Sequence, residues 1–161
     1  MENDRENRDV SAEVLKSKAA KFCAYQERSP AAVERKLLSW GASRAQCQQL
    51  IDCLTDEGFV NDRRFAREFA LGKFRQQHWG RIRIRSELAG HQIPPDRIDE
   101  ALALIDQALY IRKLDTLIDK KRMSVTENSM DKALQKTAAY CIQKGYEPAL
   151  VWERLRGGKS E

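Results

Sequence analysis

Three stretches of this 161-residue chain repeat one hydrophobic pattern: residues 36–51 read KLLSWGASRAQCQQLI, residues 87–102 read ELAGHQIPPDRIDEAL, and residues 140–155 read YCIQKGYEPALVWERL. They align without gaps. The apolar side chains at equivalent positions are Leu37, Leu88 and Cys141, then Ala42, Ile93 and Tyr146, then Cys47, Ile98 and Val151, and finally Ile51, Leu102 and Leu155. A repeat of this length is typical of tandem helical units, so we analysed the chain as three copies of one motif.

Each stretch predicts two short helices joined by a turn. The first helix ends near Gly41, Gln92 or Gly145, and glycine suits the left-handed residue that closes a helix. Gln92 in that position is expected to cost about 1 kcal/mol. The second helix begins either with the capping box Ser43 to Gln46 or, in the second and third stretches, with a proline in its first turn.

A longer amphipathic pattern precedes each stretch, as in Val14, Leu15 and Phe22. The sequence therefore predicts an all-α fold of three tandem three-helix repeats in an elongated chain, and strand patterns are absent. The predicted ranges are a flexible tail over 1–10, repeat 1 over 11–58, repeat 2 over 59–107, repeat 3 over 108–156 and a second tail over 157–161. We expect neighbouring repeats to be stacked or tightly linked, because a unit of about 50 residues buries little surface alone.

The composition excludes several classes of protein. No stretch approaches the roughly 18 apolar residues of a membrane span, and the polar N-terminus MENDRENRDV does not resemble a signal peptide, so we expect a cytoplasmic protein that does not bind membranes. The four cysteines are Cys23, Cys47, Cys53 and Cys141. Their wide spacing predicts reduced thiols and not a disulfide framework or a zinc site.

The sequence offers no support for catalysis. It contains no phosphate-binding, dinucleotide-binding, zinc-protease or serine-hydrolase motif, so we predict no catalytic residues, no cofactor, no metal and no small-molecule substrate. The two histidines, His78 and His91, lie beside helix ends with no evident carboxylate partner. We interpret both as surface or packing residues, with contact to a partner as the next alternative.

Positive charge is concentrated in the middle of the chain. Residues 61–93 contain 8 basic and 3 acidic side chains, a net +5 that equals the charge of the whole chain. Such a block suits a polyanion or an acidic protein groove, although it also fits a solvated helix face. The candidates for contact with a partner are Arg63, Arg64, Arg67, Lys73, Arg75, Arg81, Arg83 and Arg85, with Lys120, Lys121 and Arg122 as secondary candidates.

Within this block, Arg81, Arg83 and Arg85 crowd one short helix whose apolar side faces the core. We expect all three to project from the body of the protein and to be dispensable for its stability. Trp79, just before that helix, is interpreted as a core anchor between the first two helices of the repeat, with an exposed contact as the alternative.

Three motifs resemble the RecX family of bacterial regulators of the RecA recombinase. The junction GFVNDRRFA at residues 58–66 and the stretch WGRIRIRSEL at residues 79–88 are similar to two motifs of that family. Arg28-Ser29, followed by Lys36-Leu37-Leu38 and Gly41, resembles its opening motif, with Ala32 where an acidic residue is usual. The similarity runs from about Ala20 to Leu155 and is weak between Leu109 and Lys136.

The resemblance implies a curved rod that lies in the helical groove of a RecA filament on single-stranded DNA and restrains recombination and ATP hydrolysis. It implies no catalytic residue. We also expect a monomeric protein and a contact with single-stranded DNA that is indirect or weak. Two alternatives remain: a stand-alone helical DNA-binding protein of helix-turn-helix type, and a helical scaffold for an acidic partner.

Overall fold

The computed structural model describes the backbone of residues 2–157 and the side chains of residues 12–157. Within these residues it contains nine helices and no strand. They are α1 (Glu2–Tyr25), α2 (Pro30–Ser39), α3 (Arg44–Asp56), α4 (Asp62–Gln77), α5 (Arg81–Gly90), α6 (Pro95–Ala103), α7 (Gln107–Ser124), α8 (Met130–Gln143) and α9 (Pro148–Arg156). The predicted all-α fold of repeated helices is confirmed.

The structure describes parts of both predicted tails. Helix α1 begins at Glu2, so the backbone of residues 2–10 is helical, while the flexibility expected for the tail over 1–10 stays a prediction. No glycine or proline interrupts the chain before Pro30, and nothing in the sequence therefore stops the helix from extending toward the N-terminus. At the other end Gly157 caps α9, and residues 158–161 of the second predicted tail lie outside the described residues.

The turns between the paired helices have the predicted geometry. Ser43 forms the predicted capping box, with its hydroxyl accepting from the Gln46 amide and the Gln46 side chain accepting from the Ser43 amide. Gly41 and Gly145 adopt φ angles of 94° and 103°, and Gln92 adopts 61° at the equivalent place. The repeat therefore keeps the left-handed turn even where it has lost glycine.

The helices pack in groups of three, which we call unit 1 (α1–α3), unit 2 (α4–α6) and unit 3 (α7–α9). Every helix pair with extensive contact lies within one unit. Among the positions aligned from the sequence, all are buried except Ile51, which is partly buried. Hydrophobic burial within each unit therefore follows the repeated sequence pattern.

The cores of the units are not equivalent. Unit 1 has a core of its own around Val33, Leu37 and Leu54, which also takes in Val60 from the segment before α4. Units 2 and 3 share one continuous core. Phe74 contacts Tyr110 at a centroid distance of 5.9 Å, and Tyr110 contacts Tyr146 at 4.8 Å, so an aromatic chain joins the two units.

All four cysteines are free thiols. Cys23, Cys47 and Cys141 are buried and serve as small core side chains, whereas Cys53 is exposed. Burial raises the pKa of Cys141 to about 11, which keeps that thiol protonated and unreactive at neutral pH.

Replacing Leu88 with alanine should lower the free energy of unfolding by about 2 to 5 kcal/mol, because this fully buried side chain would leave a cavity in the core shared by units 2 and 3. Leu104→Ala is the matched control, since Leu104 lies at the end of α6 in the same unit and is 45% exposed. Urea denaturation of both variants tests the expectation, and equal losses would contradict it.

Candidate interaction surface

Units 2 and 3 meet where two glycines cross. The Gly80 amide donates to the Lys144 carbonyl at 2.8 Å, and the Ile82 amide donates to the Gly145 carbonyl at 3.0 Å. A Cβ atom on Gly80 would lie 2.3 Å from the Gly145 carbonyl carbon, and one on Gly145 would lie 2.3 Å from the Cβ of Arg83. The motif that opens α5 therefore needs Gly80 for this contact with unit 3, in addition to its role at the helix start.

A buried polar network lies beside this crossing. The Arg81 amide donates to the Tyr110 hydroxyl at 3.0 Å, and that hydroxyl donates to Glu147 Oε2 at 2.6 Å. The Arg81 guanidinium lies 3.9 Å from the centroid of the Tyr110 ring and donates to Gln107 at 2.7 Å. Burial, together with the bond to Glu147, raises the pKa of the Tyr110 phenol far above its usual value, so the phenol stays a hydrogen-bond donor.

Units 1 and 2 are joined by polar contacts around an open cleft. Arg64 Nε donates to Glu27 Oε2 at 2.7 Å, and Ser29 Oγ lies 3.2 Å from His91 Nδ1. The imidazole of His91 also packs on the rings of Phe65 and Phe69, at 5.2 and 5.5 Å. Desolvation lowers the pKa of His91, so the imidazole is neutral at physiological pH and serves as a packing residue in this joint.

Half of the predicted contact residues already have partners within the chain. Arg63 forms a bidentate pair with Glu100, Arg64 binds Glu27, and Arg85 binds Asp99 at 2.8 Å. The carboxylates that pair with Arg63 and Arg85 both belong to α6. Because helices α4 and α5 pack on α6, much of the positive charge of residues 61–93 is neutralised locally.

The expectation for Arg81, Arg83 and Arg85 is wrong in one respect. These side chains do not project together, because Arg81 belongs to the buried network and only 25% of its side chain is exposed. The reason is the contact with unit 3, which turns the first residue of α5 toward Tyr110 and Glu147. Arg81 therefore holds the two units together, and a triple alanine variant would also lower stability.

The remaining predicted cations, Arg67, Lys73, Arg75 and Arg83, form no ion pair with the described residues. Lys73 and Arg83 both lie against Trp79, at 5.0 and 4.1 Å from its ring. Trp79 is partly buried and packs edge-on against Phe69, with ring centroids 6.2 Å apart. It thus has features of both roles considered for it, a core anchor and an exposed contact. We call Phe69, Lys73, Trp79 and Arg83 the Trp79 surface.

The secondary candidates lie in the last turns of α7, in unit 3. Lys120 and Arg122 are exposed, and Lys121 lies 4.7 Å from the ring of Tyr140 on α8. Two further lysines, Lys113 and Lys144, reach across to the end of α4 and were missed by the sequence analysis. Lys113 and Lys120 lie seven residues apart and so on one face of α7, and this spacing could have indicated a basic face on that helix.

Comparisons with known proteins agree with this architecture. A family model described as "RecX, second three-helix domain" matches residues 61–102, which contain α4, α5 and most of α6. A protein named "Regulatory protein RecX" from Clostridium tetani is 29% identical over 143 residues, and one of the same name from Herminiimonas arsenicoxydans is 25% identical over 142 residues. Along most of its length the chain is therefore similar in sequence to RecX regulatory proteins.

The RecX relatives differ in how much of their length is matched. The alignments cover 88% of this chain in both cases, but 63% of the Clostridium protein and 91% of the Herminiimonas protein. A crystal structure of RecX from Lactobacillus salivarius has a TM-score of 0.82 at 21% identity and covers 92% of this chain and 97% of its own. That likeness shows a shared fold. No described helix is long and apolar enough to cross a membrane.

Gly80→Ala should strongly destabilise the protein, because the new methyl group would collide with the backbone of Gly145 although the φ angle of Gly80, −82°, is open to alanine. Gly90→Ala is the control, since nothing lies within 4 Å of the added atom and alanine is the better helix former by about 1 kcal/mol. Thermal unfolding should separate the two variants, with a lower Tm only for the first. An unchanged Tm for Gly80→Ala would show that the glycine crossing does not hold the units together.

Two tyrosine variants test the buried network. Tyr110→Phe should cost about 1 to 3 kcal/mol, because the Arg81 amide and the Glu147 carboxylate would both lose their partner. Tyr146→Phe should be neutral or stabilising, since the buried Tyr146 hydroxyl has no hydrogen-bond partner among the described residues. Chemical denaturation measures the free energy of unfolding of both variants. A larger loss for Tyr146→Phe than for Tyr110→Phe would show that the Tyr146 hydroxyl, and not the Tyr110 hydroxyl, stabilises this joint.

Proposed function

We propose that this protein is a non-enzymatic regulator that binds the RecA recombinase filament on single-stranded DNA and inhibits its recombinase and ATPase activity. In this role it modulates DNA repair and recombination in the cytoplasm. Similarity to the RecX family model and to relatives named as regulatory proteins supports the proposal most directly. Direct contact with DNA is not needed for this activity, because the filament itself holds the strand.

The mechanism we propose uses shape and avidity. A monomer whose three units form an elongated, curved rod lies along the groove of the filament and touches several recombinase protomers. Many weak contacts on one rigid body then add to a tight complex. The shared core of units 2 and 3 supports this proposal, because it holds those two units in one fixed relation.

The Trp79 surface and its neighbour Arg67 are the proposed contact points on unit 2. Lys73 and Arg83 lie on a partly buried tryptophan and have no carboxylate partner within the described residues, so their charge is available to an acidic filament surface. Arginine beside an aromatic ring is a frequent anchor in protein interfaces, because it combines charge with a flat apolar contact.

The decisive experiment measures ATP hydrolysis by a RecA recombinase on single-stranded DNA while this protein is added from substoichiometric to stoichiometric amounts. We expect progressive inhibition. A stand-alone DNA-binding protein would bind naked DNA as tightly as it binds the filament, with the same salt dependence. A recombinase whose ATPase rate stays unchanged at stoichiometric protein would exclude the proposed function.

A double variant, Lys73→Gln with Arg83→Gln, should weaken this inhibition on the order of tenfold and make it less sensitive to salt, because two charges that meet the filament are removed. The helical circular-dichroism signal should be unchanged and Tm only slightly lower, since Lys73 and Arg83 are partly exposed and such cation–aromatic contacts contribute about 0.5 to 1 kcal/mol each. The matched control is Lys21→Gln with Arg44→Gln, which removes the same charge from exposed positions on unit 1. If both double variants inhibit equally, the Trp79 surface is not the contact.

A further inference from the structure

Basic side chains from units 2 and 3 converge on the C-terminal end of α4. Lys113 Nζ donates to the carbonyl groups of Phe74 and Arg75, at 3.2 and 2.9 Å, and Lys144 Nζ approaches the Gln77 carbonyl at 3.3 Å. These lysines belong to α7 and to the turn after α8, respectively. They therefore cap the last carbonyl groups of a helix in the neighbouring unit.

His78 lies at the centre of this group, as the left-handed residue that ends α4, with φ 57°. Its pKa is lowered by desolvation and then by the charges of Lys113, Lys120 and Lys144. The pKa of Lys113 is lowered as well, by burial and by Arg75. We call Arg75, His78, Lys113, Lys120 and Lys144 the His78 cluster.

Capping alone does not account for so much positive charge at one place. Arg75, Lys113, Lys120 and Lys144 form no ion pair with any carboxylate among the described residues, whereas most arginines of unit 2 do. Arg75 and Lys120 are exposed and have no hydrogen-bond partner there for their side chains. Like charges held together in this way repel one another, and an external anion would relieve that repulsion.

We propose that the His78 cluster binds the phosphodiester backbone of a single-stranded nucleic acid directly. Its cations are three lysines and one arginine, and both kinds of side chain bind phosphate oxygens through charge-assisted hydrogen bonds. Tyr140 of α8 lies next to the cluster: Lys144 Nζ is 5.8 Å and Lys121 Nζ is 4.7 Å from the centroid of its ring. The basic surface therefore continues past Tyr140 to Lys121. The joint between units 2 and 3 thus carries a strand-binding surface separate from the Trp79 surface.

This proposal extends the proposed function by giving the protein its own contact with DNA, but its test needs no recombinase. Failure of DNA binding would leave filament inhibition by the Trp79 surface untouched. Conversely, the protein could bind DNA through this cluster and leave the recombinase unaffected. That result would support the His78 cluster as a DNA-binding site and exclude inhibition of the recombinase. The two failures are therefore distinguishable.

Fluorescence anisotropy with a labelled oligo-dT of about 20 nucleotides provides the first test. The wild-type protein should bind with an affinity that falls steeply between about 50 and 200 mM salt. Arg75→Gln with Lys120→Gln should weaken binding on the order of tenfold at about 0.1 M salt and reduce the slope of log affinity against log salt by about 1.4, the value for two lost phosphate contacts. Lys21→Gln with Arg44→Gln should bind as the wild type does.

The second test titrates the wild-type chain, and a variant is needed only to assign the histidine signals. The protein has two histidines, and the proton NMR signal of His78 can be assigned with His78→Gln. Saturation with the oligonucleotide should raise the pKa of His78, because a nearby phosphate stabilises the imidazolium, while the pKa of His91 should stay constant.

Three results would each overturn the proposal. The Arg75 and Lys120 double variant could bind the oligonucleotide as tightly as its control, the pKa of His78 could stay unchanged on saturation, or polyglutamate of matched charge could bind as well as the oligonucleotide. The last result would show a surface that attracts acidic polymers in general, such as an acidic protein segment.

Discussion

The crossing of Gly80 and Gly145 is the contact on which the arrangement of units 2 and 3 depends. Two backbone hydrogen bonds form there, and they require an approach that a Cβ atom on either glycine would prevent. Because the backbones meet so closely, the Tyr110 hydroxyl can bridge the Arg81 amide and Glu147. The aromatic contacts of Tyr110 then join two separate three-helix bundles into one core.

The joint between units 1 and 2 has a different physical character. It is held by the ion pair of Arg64 with Glu27 and by the contact of Ser29 with His91, beside a cleft of about 620 Å³. Polar contacts of this kind contribute less than a shared apolar core, since water competes for each partner. Although the sequence repeats three times, units 2 and 3 form one body, and unit 1 is attached to that body through polar contacts.

Net charge is a poor guide to available charge in this protein. The basic block of residues 61–93 suits a polyanion or an acidic groove, but folding brings Glu100 and Asp99 of α6 against Arg63 and Arg85. Apart from Arg67, the cations of this block that form no ion pair with a described carboxylate belong to one of two groups. One lies on Trp79 in unit 2, and the other surrounds His78 at the joint with unit 3, where lysines from distant parts of the sequence meet.

The sequence by itself determined the local structure. The spacing of Leu37, Leu88 and Cys141 and the turn residues Gly41, Gln92 and Gly145 specify short-range helical geometry, which depends on neighbours a few residues apart. Only the tertiary structure decided which cations stay unpaired, that Arg81 is a structural residue, and that Lys113 and Lys144 lie beside His78. Those outcomes depend on where one helix ends relative to another, at sequence separations of up to 67 residues, as in the contact of Lys144 with the carbonyl of Gln77. No periodicity within a single helix encodes that distance.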